Sequence, residues 1–160
     1  QWAGVSQEPA AVPCMEESVL SFLRSCEVLT SDWKQMLEHA ANAPEPENLL
    51  AYTPALDQEI RLFTMDMLYR YYLRAAYAET PEAEILPVQM AAFAVCIVLL
   101  YSRRLGFHTA EQRLRIWQLF VKEIEYDGDN LEELEWQLET NAAFSPAAFR
   151  AYFASLGGVQ

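Results

Sequence analysis

The segment Leu86–Gly106, LPVQMAAFAVCIVLLYSRRLG, constrains the fold of this chain more than any other. From Met90 to Tyr101 no side chain is charged or strongly polar. A surface helix turns a polar residue to water every three or four positions, and this one has no such face. It is too long for an ordinary buried strand, and Met90, Ala91, Ala92, Ala94, Leu99 and Leu100 all favour helix. Pro87 fits a first turn, where its missing N–H costs nothing. Arg103 and Arg104 suit the negative end of the dipole, and Gly106 supplies a C′ stop. The sequence therefore predicts a central helix over about 86–105, buried nearly all round. Its uninterrupted apolar run is shorter than the roughly 20 residues that cross a bilayer, so no membrane partner is expected.

The rest of the chain supplies helices to cover it. Residues 1–13 carry Gly, Ser and Pro without periodicity and read as a loose lead-in, with a single helical domain over 14–160. Val19, Leu20, Phe22, Leu23 and Cys26 form one apolar stripe. Ser31 or Asp32 opens a second helix carrying Trp33, Met36 and Leu37, and the prolines and acids of Ala43–Asn48 end it. Thr53-Pro54 opens a long helix to about Glu79, with Ile60, Phe63, Met67, Leu68 and Tyr71 on its core face. Thr80-Pro81 repeats the cap-plus-proline signal and leads through an acidic stretch into the central helix.

Beyond Gly106, Thr109-Ala110-Glu111-Gln112 is a capping box. It opens a helix with Leu114, Trp117, Val121 and Ile124 on one stripe, interrupted at Tyr126–Asn130. A helix capped by Asp129 or Asn130 carries Leu131, Leu134 and Leu138. A last helix starts at Ser145-Pro146, carries Phe149, Tyr152, Phe153 and Leu156, and ends at Gly157-Gly158. The expected architecture is all-α: one bundle of five to seven helices.

Composition narrows the function classes. Eleven Lys and Arg against 23 Asp and Glu give a formal net charge of −12, which excludes a phosphate-neutralising surface and so a nucleic-acid partner. Cys14, Cys26 and Cys96 are odd in number and share no CxxC spacing, so neither a disulfide framework nor a zinc site is expected, and a reducing, cytoplasmic setting is. The opening QWAGVSQEPAAVP has no basic, then apolar, leader pattern and reads as part of something longer.

No constellation of nucleophile, base and orienting acid occurs at readable spacing, so no catalytic residue is expected. The acidic stretch Glu123–Glu135 fails as a calcium loop: with Gly128 at the invariant glycine, the terminal bidentate position falls on Leu134. No metal or other cofactor is expected in this chain. His39 and His108 lack a matched base or ligand set and read as surface or packing residues. Two surfaces remain as candidates for a protein partner. One is the acid cluster with Glu123, Glu125 and Asp127, suited to a cationic partner or to arginines of a second copy. The other is the aromatic-arginine cluster of Tyr69, Arg70 and Arg74 with Tyr71, Tyr72 and Tyr77.

The order MLYRYYLRAAY, MAAFAVCIVLLYSRRLG, FHTAEQ and FVKEIEYDGDNLEELEWQLE, over about residues 50–140, is similar to the C-terminal helical part of the bacterial flagellin lysine-N-methylase family. Phe120, Ile124, Glu125 and the pair Leu131/Leu134 stand where that family has an aromatic residue, Ile-Glu and two leucines. Tyr126 departs from the family's histidine. The resemblance implies an accessory domain that holds or presents a lysine-bearing substrate, not catalytic by itself. The family's cysteine cluster, implying an iron–sulfur centre, has no match in Cys14, Cys26 and Cys96, so no catalytic or metal residue carries over. The alternative is a helical interaction or oligomerisation module, whose partner is another protein, a second copy, or the remainder of a longer chain.

Overall fold

The computed structural model describes residues 12–44, 50, 52–77 and 80–156, with the side chains of Val12, Pro13, Cys14, Arg74 and Glu82 outside that description. Among these residues there are seven α-helices and no strand. The helices are α1 (Val12–Ser25), α2 (Ser31–Asn42), α3 (Pro54–Ala76), α4 (Pro81–Leu105), α5 (Ala110–Phe120), α6 (Gly128–Thr140) and α7 (Pro146–Leu156). A π-turn at Val121–Glu125 prolongs α5, and a 3-10 turn at Ala142–Phe144 links α6 to α7.

The chain is an all-α bundle organised around α4, which packs most extensively along α3 and also against α2, α5, α6 and α7. Phe22 of α1 meets Phe93 of α4 edge-on at 5.4 Å, so the first helix closes over it too. Phe93 also contacts Phe120 and Phe144, which places an aromatic hub at the centre. Edge-to-face rings of this kind add to their area burial.

The central helix starts earlier than the sequence suggests. Thr80 caps it by accepting from the Ala83 N–H, and Pro81 takes the first position. The acidic stretch before Leu86 is therefore helix, and Pro87 lies inside it. Pro87 cannot donate to the carbonyl of Ala83, yet the helix runs through. Over Ala83–Leu105 the helix is long and apolar enough to cross a membrane, so length alone does not separate span from core; 72% of its apolar window is buried inside the bundle. At the far end Gly106 adopts φ 66°, and the N–H groups of Gly106 and Phe107 both bond to the Ser102 carbonyl. That left-handed position suits glycine.

Other boundaries shift for local reasons. Pro13 is helical, so α1 reaches into the stretch read as lead-in, while residues 1–11 lie outside the described residues, as do 45–49 of the acidic linker and Gly157-Gly158. Thr30, not Ser31 or Asp32, caps α2. Asp127, not Asp129 or Asn130, caps α6, accepting from the Asn130 N–H at 2.8 Å. The capping box at Thr109 is present in both directions.

Candidate functional surface

The acid cluster does not present Glu123, Glu125 and Asp127 together as one outward surface. Glu123 is fully buried: it accepts from the Leu29 N–H at 2.7 Å and from the Thr30 hydroxyl, tying the π-turn to the start of α2. The π-turn is the reason. The Tyr126 N–H bonds to the Val121 carbonyl five residues back, which inserts one residue into the helical phase and turns Glu123 inward. The same segment departs from the expected stripe at Leu114, which is exposed, while Ile116, Leu119 and Arg113 are buried. Arg113 is satisfied by Glu59 of α3 through two bonds, at 2.6 and 2.9 Å.

Asn130 completes this corner. Its amide donates to the carbonyls of Glu27 and Glu123 and accepts from the Glu27 N–H, all at 2.8–2.9 Å. Sequence offers no signal for that role, because an asparagine beside Asp-Gly-Asp reads as a cap.

Glu125 points a third way. It accepts from Arg70 at 2.7 Å and from the Tyr71 hydroxyl at 3.2 Å, and its side chain is nearly covered. Glu123, Glu125 and Asp127 thus serve three separate partners and do not converge. Among the described residues no three His, Cys, Asp or Glu side chains are grouped to hold a metal ion. His39 and His108 are exposed.

Burial raises the pKa of Glu125 above its ordinary value of 4.5, outweighing the lowering by Arg70 and Tyr71. Folding takes up a proton at this carboxyl between its unfolded and folded values. The resulting stability is complete below the unfolded pKa and is lost as pH rises through the folded one. Glu125→Gln removes this dependence. Its Tm relative to the parent is expected to rise with pH across that window, reaching level or above at neutral pH. A difference in Tm that stays constant with pH would overturn this account.

Two further polar features carry no readable chemistry. A groove of about 650 Å³ is lined by Glu17, Ser18, Ser21, Phe22 and Ser25 of α1 with Gln137 and Asn141. Among the described residues that line it there are serines, amides and one carboxylate but no histidine, lysine or cysteine to activate a hydroxyl. Cys26 lies half-buried, its thiol pushed up to about 12 by burial first and by Glu133 and Asp127 next. The Cys96 thiol is pushed up further by complete burial, so neither is poised as a nucleophile.

The aromatic-arginine cluster divides. Tyr71 turns into the core, while Tyr69, Tyr72 and Tyr77 turn out to solvent. Arg70 is held by Asp66 and Glu125, and the side chain of Arg74 lies outside the described residues. The outward tyrosines belong to a larger pattern. Ala55, Gln58, Leu62, Met65, Tyr69, Tyr72 and Ala76 follow one another at alternating spacings of three and four, and all are exposed. That alternation is the seam of a helix that packs against another helix. It lies opposite the core face of Leu56, Met67 and Tyr71, so α3 is apolar on two sides. The sequence signal for it is the surplus of apolar residues along α3 beyond those that one core-facing stripe requires.

Leu62, Met65, Tyr69, Tyr72, Leu73 and Tyr77 are 58–86% exposed. At on the order of 200 Å² for each side chain of this size, they present on the order of 800 Å². A monomer's largest apolar patch is typically about 300–600 Å². Ile85 and Val88 are also exposed, on the neighbouring helix α4. No protein-family model matches the chain, and comparison with curated proteins and with solved structures finds no similar one.

Proposed function

We propose that this chain is a helical interaction module that docks a partner helix on the outer face of α3. The observation that carries the reading is the unbroken three-four alternation Leu62, Met65, Tyr69, Tyr72 and Ala76 on the solvent side of a helix already packed on its other side. Tyr69 is the anchor: a large, nearly fully exposed aromatic at the middle of the seam, of the residue type that dominates interface energies. The accessory role implied by the resemblance to lysine-N-methylases uses the same face, with MLYRYYLRAAY holding the remainder of a longer protein against the bundle. It draws less support from the acid cluster, because Glu123 and Glu125 turn inward.

The test is a photoreactive amino acid at position 69 of the protein in its native cell, with the same group at Trp136, an exposed aromatic on α6, as the control. Covalent adducts to a polypeptide are expected from position 69 and not from 136, and Met65→Glu should abolish them. Adducts that are absent, or that form equally from both positions, would sink the reading.

A further inference from the structure

The α3 seam has an internal symmetry. Reading outward from Tyr69, exposed residues run Met65 and Leu62 in one direction, and in the other Leu73, which flanks the seam beside Tyr72, and Ala76. These are four and seven residues away on each side. Laid antiparallel on a copy of itself with Tyr69 at the centre, the helix sets Met65 against Leu73 and Leu62 against Ala76. A large residue meets a small one at the ends, and the two Tyr69 rings lie beside the axis. A patch complementary to itself under a two-fold rotation is what an isologous dimer requires.

Charge and area favour the same occupant. The whole chain carries −12, but α3 holds three acids, Asp57, Glu59 and Asp66, and three arginines, Arg61, Arg70 and Arg74. Two α3 helices therefore meet without like-charge repulsion at the contact itself, whereas a strongly charged peptide finds no complement on the seam. The on-the-order-of 800 Å² offered by one copy matches what each partner contributes to a standard interface.

We infer that α3 pairs with α3 of a second copy, antiparallel, across a two-fold axis beside Tyr69. This rests on the docking reading above and names its occupant. Tyr69 supplies the central contact and Met65 with Leu73 the flanking ones.

The experiment uses the full chain. Sedimentation over a range of concentrations is expected to show a monomer–dimer equilibrium. Met65→Glu with Tyr69→Glu is expected to weaken it about a hundredfold or more, each being a buried interface residue. Trp136→Glu should leave it unchanged. Both changes lie on solvent-exposed positions, and an unaltered helical circular dichroism spectrum verifies that the fold survives. Orientation is read by disulfide trapping in a Cys14→Ser background. Tyr69→Cys should cross-link to itself under mild oxidation. Leu62→Cys should not, because antiparallel pairing sets the two position-62 residues about 20 Å apart. A chain that stays monomeric, a dimer indifferent to the α3 changes, or cross-linking at position 62 in place of 69 would each overturn the inference. If the chain is monomeric but position 69 still captures another protein in the cell, the self-pairing fails and the docking function stands. If it captures only residues 1–11 of its own chain, both fail.

Discussion

Glu16→Ala should cost the bundle about 3–5 kcal/mol, the range for removing one partner of a buried ion pair. Glu16 is buried on α1, where it accepts from Arg103 at 2.6 Å, Arg104 at 3.1 Å and the Tyr152 hydroxyl at 3.2 Å. Arg103 and Arg104 are themselves at most 10% exposed. Removing the carboxylate would leave one guanidinium without its anion, and the other with only Glu17 and the Ala40 carbonyl. Net stabilities of domains are about 5–15 kcal/mol, so roughly a fifth or more of the total would go. Denaturant titration at constant m-value would measure it. A loss below about 1 kcal/mol would mean that the cluster is redundant, and Glu16→Gln, which keeps the shape without the charge, should fall between the two.

Leu99→Ala is the second large effect, expected at about 2–5 kcal/mol through lost transfer energy and the cavity left behind. Val95 and Leu99 are each only 4% exposed on α4. Helices pack around α4 on all sides, so the surroundings have little freedom to collapse into the space. The loss should therefore lie in the upper half of the range. A loss below about 1 kcal/mol in the same titration would show that α4 does not hold the core together.

The features legible in the sequence were those decided within a few residues of themselves. The apolar run of α4, the Thr53-Pro54 and Thr109 starts and the Gly106 stop each satisfy local backbone groups, and the structure keeps all of them. The inward turn of Glu123 could not be read that way. It depends on a π-turn that shifts the helical phase and on donors just ahead of α2, the Leu29 N–H and the Thr30 hydroxyl, 94 and 93 residues away in sequence. Arg113 is likewise buried only because Glu59 faces it, 54 residues earlier. Arg103 and Arg104 looked like ordinary complements to a helix dipole, and only the position of α1 turns them into the anchors of a buried anion. For the candidate surface the sequence pointed to Tyr69 and Arg70 but grouped them with Tyr71, because a string of tyrosines does not say which rings face the core. The three-four alternation resolves it once the buried side of α3 is known.

The tie between Glu16 and Tyr152 has a consequence for how the protein is made. The two residues are 136 positions apart, and α1 packs directly on α7. On a ribosome adding about 5–20 residues per second, α1 emerges many seconds before its partner exists. Until α7 clears the exit tunnel, the Glu16 carboxylate and the apolar side of α1 have no complete site to enter. Closure therefore waits for the last helix, and the nascent chain must stay unaggregated with α4, its most apolar segment, already out. A stalled chain ending before α7 should bind a holdase chaperone that releases the finished one.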